Sequence, residues 1–177
     1  MGAGGVDERD GRPWEHAVTR SEQERFWSFV VKGPDPDDCW FWTGAISDDG
    51  YGRFWVKRGT GQLAVRPQRY AYELATGEPL PSSTLLLHSC DIPICVHASA
   101  DLEVSHVAPG THRENMLDRA QRGRYRNRAT LRLGDLPRQV RVQRSLDLRT
   151  VIVEHGWEPE LISAALLGVE LTHPRLF

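Results

Sequence analysis

TLLLHSCDIPICVHASADLEVSHVAPGTHRENMLDRAQRGR, residues 84–124, is the stretch whose reading decides the fold. The apolar run Leu85-Leu86-Leu87 reads as a strand that delivers His88, with Cys90 two residues on and Cys95 after it. The four residues between the cysteines make a turn able to set both sulfurs on one zinc ion at about 2.3 Å. A polar loop then leads to His106, which reads as a third ligand that ties the loop down. Thr111-His112-Arg113-Glu114 is a T-x-x-E capping box, so a helix is expected from Thr111. Asn115 and Asp118, three apart, share a face of that helix, with Arg119 and Arg122 beside them. A metal clip of this kind would fix the strand end carrying His88 against the helix carrying Asn115.

Working outward, 177 residues support one domain of ordinary size with a small appendage. At 40% apolar and 26% charged residues, the composition is that of an ordinary soluble protein. No apolar run approaches the roughly 20 residues of a membrane span. The acidic, Gly-rich start MGAGGVDERDGRPWEH is the opposite of a signal peptide, which makes a cytoplasmic setting the expectation. Three cysteines leave one over in a disulfide framework. Taken alone, Cys39 reads as a small buried thiol. Charge is uneven: residues 113–149 hold eleven arginines against four acids, and residues 1–50 hold eleven acids. A basic segment beside a candidate site is a footprint of nucleic-acid contact, and equally the description of a solvated basic face.

In chain order, residues 1–20 read as an acidic tail. Ser21–Val30 reads as a short helix capped by Ser21, with Phe26, Trp27 and Val30 inward. Cys39–Thr43 and Tyr51–Val56 read as the two strands of a β-hairpin turning at Ser47–Gly50. Arg58–Gly61 is a second turn, followed by a strand over Gln62–Arg66. Pro67–Ala75 reads as a helix closed by Gly77. Arg122–Arg128 is a basic tract, expected to lie along DNA and to be extended when free, and it leads into a basic arm over 125–144. A helix over 145–155 capped by Ser145 and another over Pro159–Leu167 complete a small helical element, 145–177, whose expected role is packing.

With these residues in view, the chain resembles the His-Me finger or HNH nucleases, in particular phage and bacterial proteins with H-x-C-D-x-P-x-C turns and the zinc-containing His-Cys box homing endonucleases. Those families show an H-x-C-x4-C turn, a later histidine and an asparagine nine residues beyond it. His88, Cys90, Cys95, His106 and Asn115 reproduce that order and that last spacing. DDCWFWTG (37–44), YGRF (51–54) and RYAYELATG (69–77) match further stretches of the phage branch, so the likeness covers roughly residues 25–124. Two departures stand out: Cys95 and His106 are eleven apart, which implies an insertion near Ser99–Glu103, and the middle asparagine of the HNH triad has no match.

The resemblance implies an α+β fold: a ββα-metal finger over 21–124 with an N-terminal β-hairpin, one structural zinc and the C-terminal helical hairpin. It turns Cys39 into the fourth member of a Cys3His zinc site with Cys90, Cys95 and His106. His97 is then a surface residue, with a place in the zinc site or in orienting it as alternatives. It implies a metal-dependent DNA endonuclease, restriction-type or phage-borne, in which His88 is the general base and Asn115 holds one Mg2+ or Mn2+ ion. Arg66, Arg69, His112, Arg113, Arg119, Arg122, Arg124 and Arg126 are the expected contacts to double-stranded DNA. A palindromic cutter with one finger per chain would act as a homodimer. The competing reading is a zinc-stabilised DNA-binding module without catalysis, and an RNA-directed nuclease is a third.

Overall fold

The computed structural model describes residues 20–117 and 136–169. Residues 1–19 of the expected tail, and Asp118, Arg119, Arg122, Arg124 and Arg126, lie outside that range. The architecture is α+β, with three separate two-stranded antiparallel sheets and helices around them.

Phe26 organises the core. It lies on the inner face of α1 (Arg20–Trp27) and is fully buried. Its ring centroid is 5.0 Å from Trp27, 5.4 Å from Trp42, 5.3 Å from Phe54 and 4.7 Å from Tyr70. Edge-on and offset rings at such distances bury large apolar areas and add pairwise attraction. Against this cluster lies β2 (Trp40–Trp42), antiparallel to β1 (Val30–Lys32) with Val31 opposite Phe41. The other side of β2 meets the cysteine turn. Trp42 N–H donates to the Ile94 carbonyl at 2.8 Å, and Val96 N–H donates to the Trp40 carbonyl at 2.8 Å.

β3 (Phe54–Arg58) and β4 (Gly61–Val65) form a hairpin whose inner residues Phe54 and Val56 are buried. At its tip Arg58 turns back to Glu22, pairing both guanidinium arms with the carboxylate at 2.9 and 3.1 Å. The Tyr70 hydroxyl donates to the same carboxylate at 3.2 Å. Burial first, and then the Glu22 charge, push the Tyr70 hydroxyl above its ordinary pKa. α2 (Pro67–Thr76) starts on Pro67, where the missing N–H costs nothing, and ends at Gly77. β5 (Leu85–His88) pairs with β6 (Val107–Gly110), His88 opposite Val107 and Leu85 opposite Gly110. α3 opens at residue 112 and is described to 117. α4 (Arg138–His155) and α5 (Pro159–Leu167) pack on each other and on β2. Leu148 and Ile152 are buried there, and the Trp157 ring stacks on Phe41 at 5.0 Å.

Several expectations are corrected. Residues 39–43 do not pair with 51–56, because β1 and the cysteine turn occupy the two edges of β2. Only an isolated bridge, Ile46 to Gly52, remains of that hairpin, and residues 54–58 pair forward with 61–65 instead. The anticipated turn does exist: Gly50, at φ 86°, donates to the Ser47 carbonyl at 3.0 Å. α1 already includes Ser21, and β6 supplies a strand that Pro109 and Gly110 concealed. Ser145 is no cap. α4 begins seven residues earlier, at Arg138, so 138–144 of the expected extended arm is helix and Ser145 is buried within it. Arg138 Nε donates to the Asp48 carbonyl at 2.9 Å and Arg141 Nε to the Asp49 carbonyl at 3.2 Å, which holds this first half of α4 on the 47–50 turn.

Phe26→Ala should cost about 3–5 kcal/mol in urea unfolding, the usual penalty for emptying a buried aromatic site. The Asp49 carboxyl gives a smaller, pH-dependent effect. Burial raises its pKa, but hydrogen bonds from Arg66 and from Tyr51 N–H outweigh that and lower it overall. A depressed carboxyl contributes stability above its unfolded pKa and loses it as pH falls through the folded one. Asp49→Asn should therefore cost roughly 0.2–1 kcal/mol at pH 7, the range of part-exposed ion pairs. The gap between the two proteins should close on acidification below the ordinary carboxylate range.

Candidate metal centre

Cys39 lies just ahead of β2, Cys90 and Cys95 in the turn after β5, and His106 just ahead of β6. The four offer ligand atoms that all lie within 4.8 Å of one another. His106 Nδ1 is 3.4 Å from Cys39 Sγ and 3.5 Å from Cys95 Sγ. Backbone bonds hold the donors in place: Cys95 N–H donates to the Ile92 carbonyl at 3.0 Å and Ser89 N–H to the His106 carbonyl at 2.9 Å. Asp91 adopts a left-handed φ of 58° inside the turn.

Three thiols and an imidazole this close together could hold a metal cation among them. The Cys90 thiol is drawn far below its ordinary pKa by hydrogen bonds from Cys39 and Cys95, with His106 adding to them. Its bond to Cys90 drives the Cys39 thiol up, burial drives the Cys95 thiol up, and the Cys90 sulfur raises His106. A Cys3His donor set of this kind fits a tetrahedral metal such as zinc.

His97 is not at the surface. It is buried, its Nδ1–H donates to the Asp38 carbonyl at 2.6 Å, and its ring stacks on Trp40 at 4.3 Å and 6°. Its ring also lies 4.4 Å from that of His106. Burial, the largest influence, lowers its pKa. His97 is therefore a packing wall for His106, held by the residue before Cys39, and His106 is the histidine gathered with the cysteines. The sequence signal for this was the alternation Cys95–His97, which puts both residues on one side of an extended segment.

His88 ends β5, half-buried, with Nε2 3.1 Å from the Cys95 carbonyl. A carbonyl only accepts, so Nε2 carries a proton in this contact. The Cys95 carbonyl is thus the group that His88 Nε2 faces. The Tyr51 ring lies 6.2 Å from that of His88. Asn115 sits part-buried in the first turns of α3, and the capping box that starts that helix is formed: Glu114 N–H donates to Thr111 Oγ1 at 3.1 Å and Thr111 N–H to Glu114 Oε2 at 2.7 Å. His112 and Arg113 are exposed on the same first turn.

Two expected DNA contacts are engaged within the chain instead. Arg66 pairs with Asp49 at 2.5 Å and reaches Ser47 Oγ at 3.3 Å. Arg69 donates to the Thr84 and Pro81 carbonyls at 3.3 and 2.5 Å, which ties α2 to the loop entering β5.

The chain is 38% identical to Protein 7.7 of Escherichia phage T7 over 88 residues, which is 50% of this chain and 59% of that protein. It is 34% identical to Protein 2.8 of the same phage over 86 residues, 49% of this chain and 52% of that protein. The chain thus spans little more than half the length of these curated relatives. No family model and no solved structure matches it. No helix among the described residues is long and apolar enough to cross a membrane.

Purified protein should carry one tightly held zinc per chain by mass spectrometry of the digested metal. Cys90→Ser should lose both the metal and the cooperative thermal transition, because structural zinc contributes folding energy directly. His106→Ala should lose the metal, whereas His97→Ala should keep it and melt lower. The reverse assignment of the two histidines would show as the opposite pattern.

Proposed function

We propose that this chain is a metal-dependent endonuclease that hydrolyses phosphodiester bonds of DNA, built on a ββα-metal finger whose structural ion is zinc. The observation that carries the reading is His88, held at the end of β5 by the carbonyl of a metal-site cysteine, with Nδ1 left free to accept a proton. The order β5, cysteine turn, β6 and α3, with Asn115 in the helix, supports it.

In this reading His88 Nδ1 takes a proton from a water molecule as that oxygen attacks phosphorus in line. The bond from phosphorus to the 3′ oxygen breaks, leaving a 5′ phosphate and a 3′ hydroxyl, the leaving oxygen gaining its proton from solvent. Imidazole is the side chain most often used for such a proton transfer. Asn115 would hold the second ion through its amide oxygen. One neutral protein ligand at a part-exposed position suits Mg2+, which retains most of its water. When bound, that ion supplies charge neutralisation at the phosphate. The exposed N-terminal turn of α3, with His112 and Arg113, offers free N–H groups and positive charge to a phosphate. The zinc clip performs no chemistry here; it holds the strand carrying His88 in register with the helix carrying Asn115.

Unmodified plasmid incubated with the protein in Mg2+ should be nicked or cut, and EDTA should stop the reaction. His88→Ala should lower the rate by at least about 100-fold, the usual contribution of a general base, with zinc content and melting temperature unchanged. Asn115→Ala should remove the response to Mg2+ while preserving the fold. An intact parent that binds DNA and leaves every substrate uncut would establish the non-catalytic zinc module instead.

A further inference from the structure

The outward face of the β3–β4 hairpin takes no part in the core, the metal centre or the proposed reaction. Exposure alternates along both strands: Phe54 and Val56 are buried while Trp55 and Lys57 are exposed, and across from them Gln62 and Ala64 are exposed. The register sets Trp55 opposite Ala64 and Lys57 opposite Gln62. Arg53, exposed and one step ahead of β3, continues the same face. Arg25 flanks it, its guanidinium donating to the Trp55 carbonyl at 2.6 Å while lying 4.4 Å from the Phe54 ring centroid. Residues 51–72 contain no acidic side chain. The face is therefore a two-stranded ribbon carrying positive charge, one amide and one large aromatic side chain. Trp55 keeps 45% of its surface in solvent while Trp42 keeps 1%.

The open end of this hairpin adjoins the proposed site. Tyr51, just before β3, has its ring 6.2 Å from that of His88, and Arg66, just after β4, has its guanidinium 5.4 Å from the centre of the Tyr51 ring. The ribbon thus runs from His88 outward to Gly59-Thr60.

We infer that this ribbon enters the major groove of duplex DNA to one side of the scissile phosphate, with Arg53 and Lys57 on the backbone and Gln62 and Trp55 at base edges. A two-stranded ribbon fits that groove. Five-residue strands rising about 3.4 Å per residue cover roughly five base pairs. Gln matches the edge of adenine, and an apolar surface matches the thymine methyl, so A·T pairs are favoured under the ribbon. A single-strand platform would need aromatic rings for successive bases, and this face has one. A protein-docking patch would need contiguous apolar surface, and Trp55 and Ala64 alone do not make it.

The inference rests on the nuclease reading, and the test separates the two. Binding of a 30-base-pair duplex to the His88→Ala protein is followed from about 50 to 300 mM salt. On that background Arg53→Gln with Lys57→Gln should reduce the salt slope by about 1.8 and weaken binding on the order of 10–100-fold at 0.1 M salt, through two lost phosphate contacts. Gln62→Ala with Trp55→Ala should leave the slope unchanged and flatten any preference among duplexes varied over the roughly five base pairs beside the cut. All four side chains point outward, so melting temperatures should not move. A parent that binds no duplex overturns the nuclease reading and the ribbon with it. A parent that binds, with variants that bind alike in slope and preference, overturns the ribbon alone. A loss from Trp55→Ala confined to single strands overturns the groove in favour of base stacking.

Discussion

Four donor atoms drawn from three separated places in the chain are the constraint on which the rest of the structure depends. Among the described residues no sheet has more than two strands, and a two-stranded hairpin is at best marginal in water by itself. What turns these ribbons into a fold is their attachment to β2. On one edge it pairs with β1, and on the other it exchanges backbone hydrogen bonds with residues 94–96. Cys39 and Cys95 stand at these junctions, and His106 links them to β6 through the Ser89 bond to its carbonyl. The aromatic cluster around Phe26 seals one side of β2, and the α4–α5 pair seals the other through Phe41 and Trp157. The metal donors and the apolar core therefore share a single strand.

The residues that declared themselves in the sequence did so through short-range rules. Cys90 and Cys95 have a metal-turn spacing, Thr111 and Glu114 form a capping box, and Pro67 and Gly77 punctuate α2. Each rule is satisfied within a few residues, and each feature is present. The strand-pairing failure was non-local. Trp40–Trp42 looked ready to pair with the strand after the 47–50 turn, but a turn fixes only direction, and two other partners compete for the strand's edges. At Gly52, a side-chain carbon would lie 2.6 Å from Trp42 and 2.7 Å from Pro67, so the chain passes too close to the core there to continue a ladder. Ser145 looked like a cap because serine often is one. It lies buried inside α4 instead, where a side-chain carbon added at Gly50 would come within 3.3 Å of its hydroxyl.

Charge segregation was legible as a number and misleading as a map. Among the arginines counted over residues 113–149, Arg138, Arg141 and Arg149 are spent on carbonyls of the 43–49 segment, and Arg138 also pairs with Asp48. Of the acids in the N-terminal half, Asp48 is the partner of Arg138, while Asp49 and Glu22 pair with nearer arginines, Arg66 and Arg58. Part of the apparent footprint is thus an internal clamp joining the two ends of the described chain. The positive charge that remains free for a polyanion includes Arg53 and Lys57, on a hairpin that a count of basic residues along the sequence passes over.

The link between Cys95 and His88 gives the metal centre a second consequence. Cys95 contributes its sulfur to the donor cluster and its carbonyl to His88, so one residue both shapes the clip and selects the tautomer of the proposed base. Side-chain orienters can be exchanged independently of the scaffold; a backbone oxygen cannot. Its direction is fixed by the turn that begins at Asp91 and by the bond from Cys95 N–H to the Ile92 carbonyl. Loss of the ion would release that turn, and with it the proton on Nε2 would lose its acceptor. A ligand substitution that left the core folded would then still impair the base.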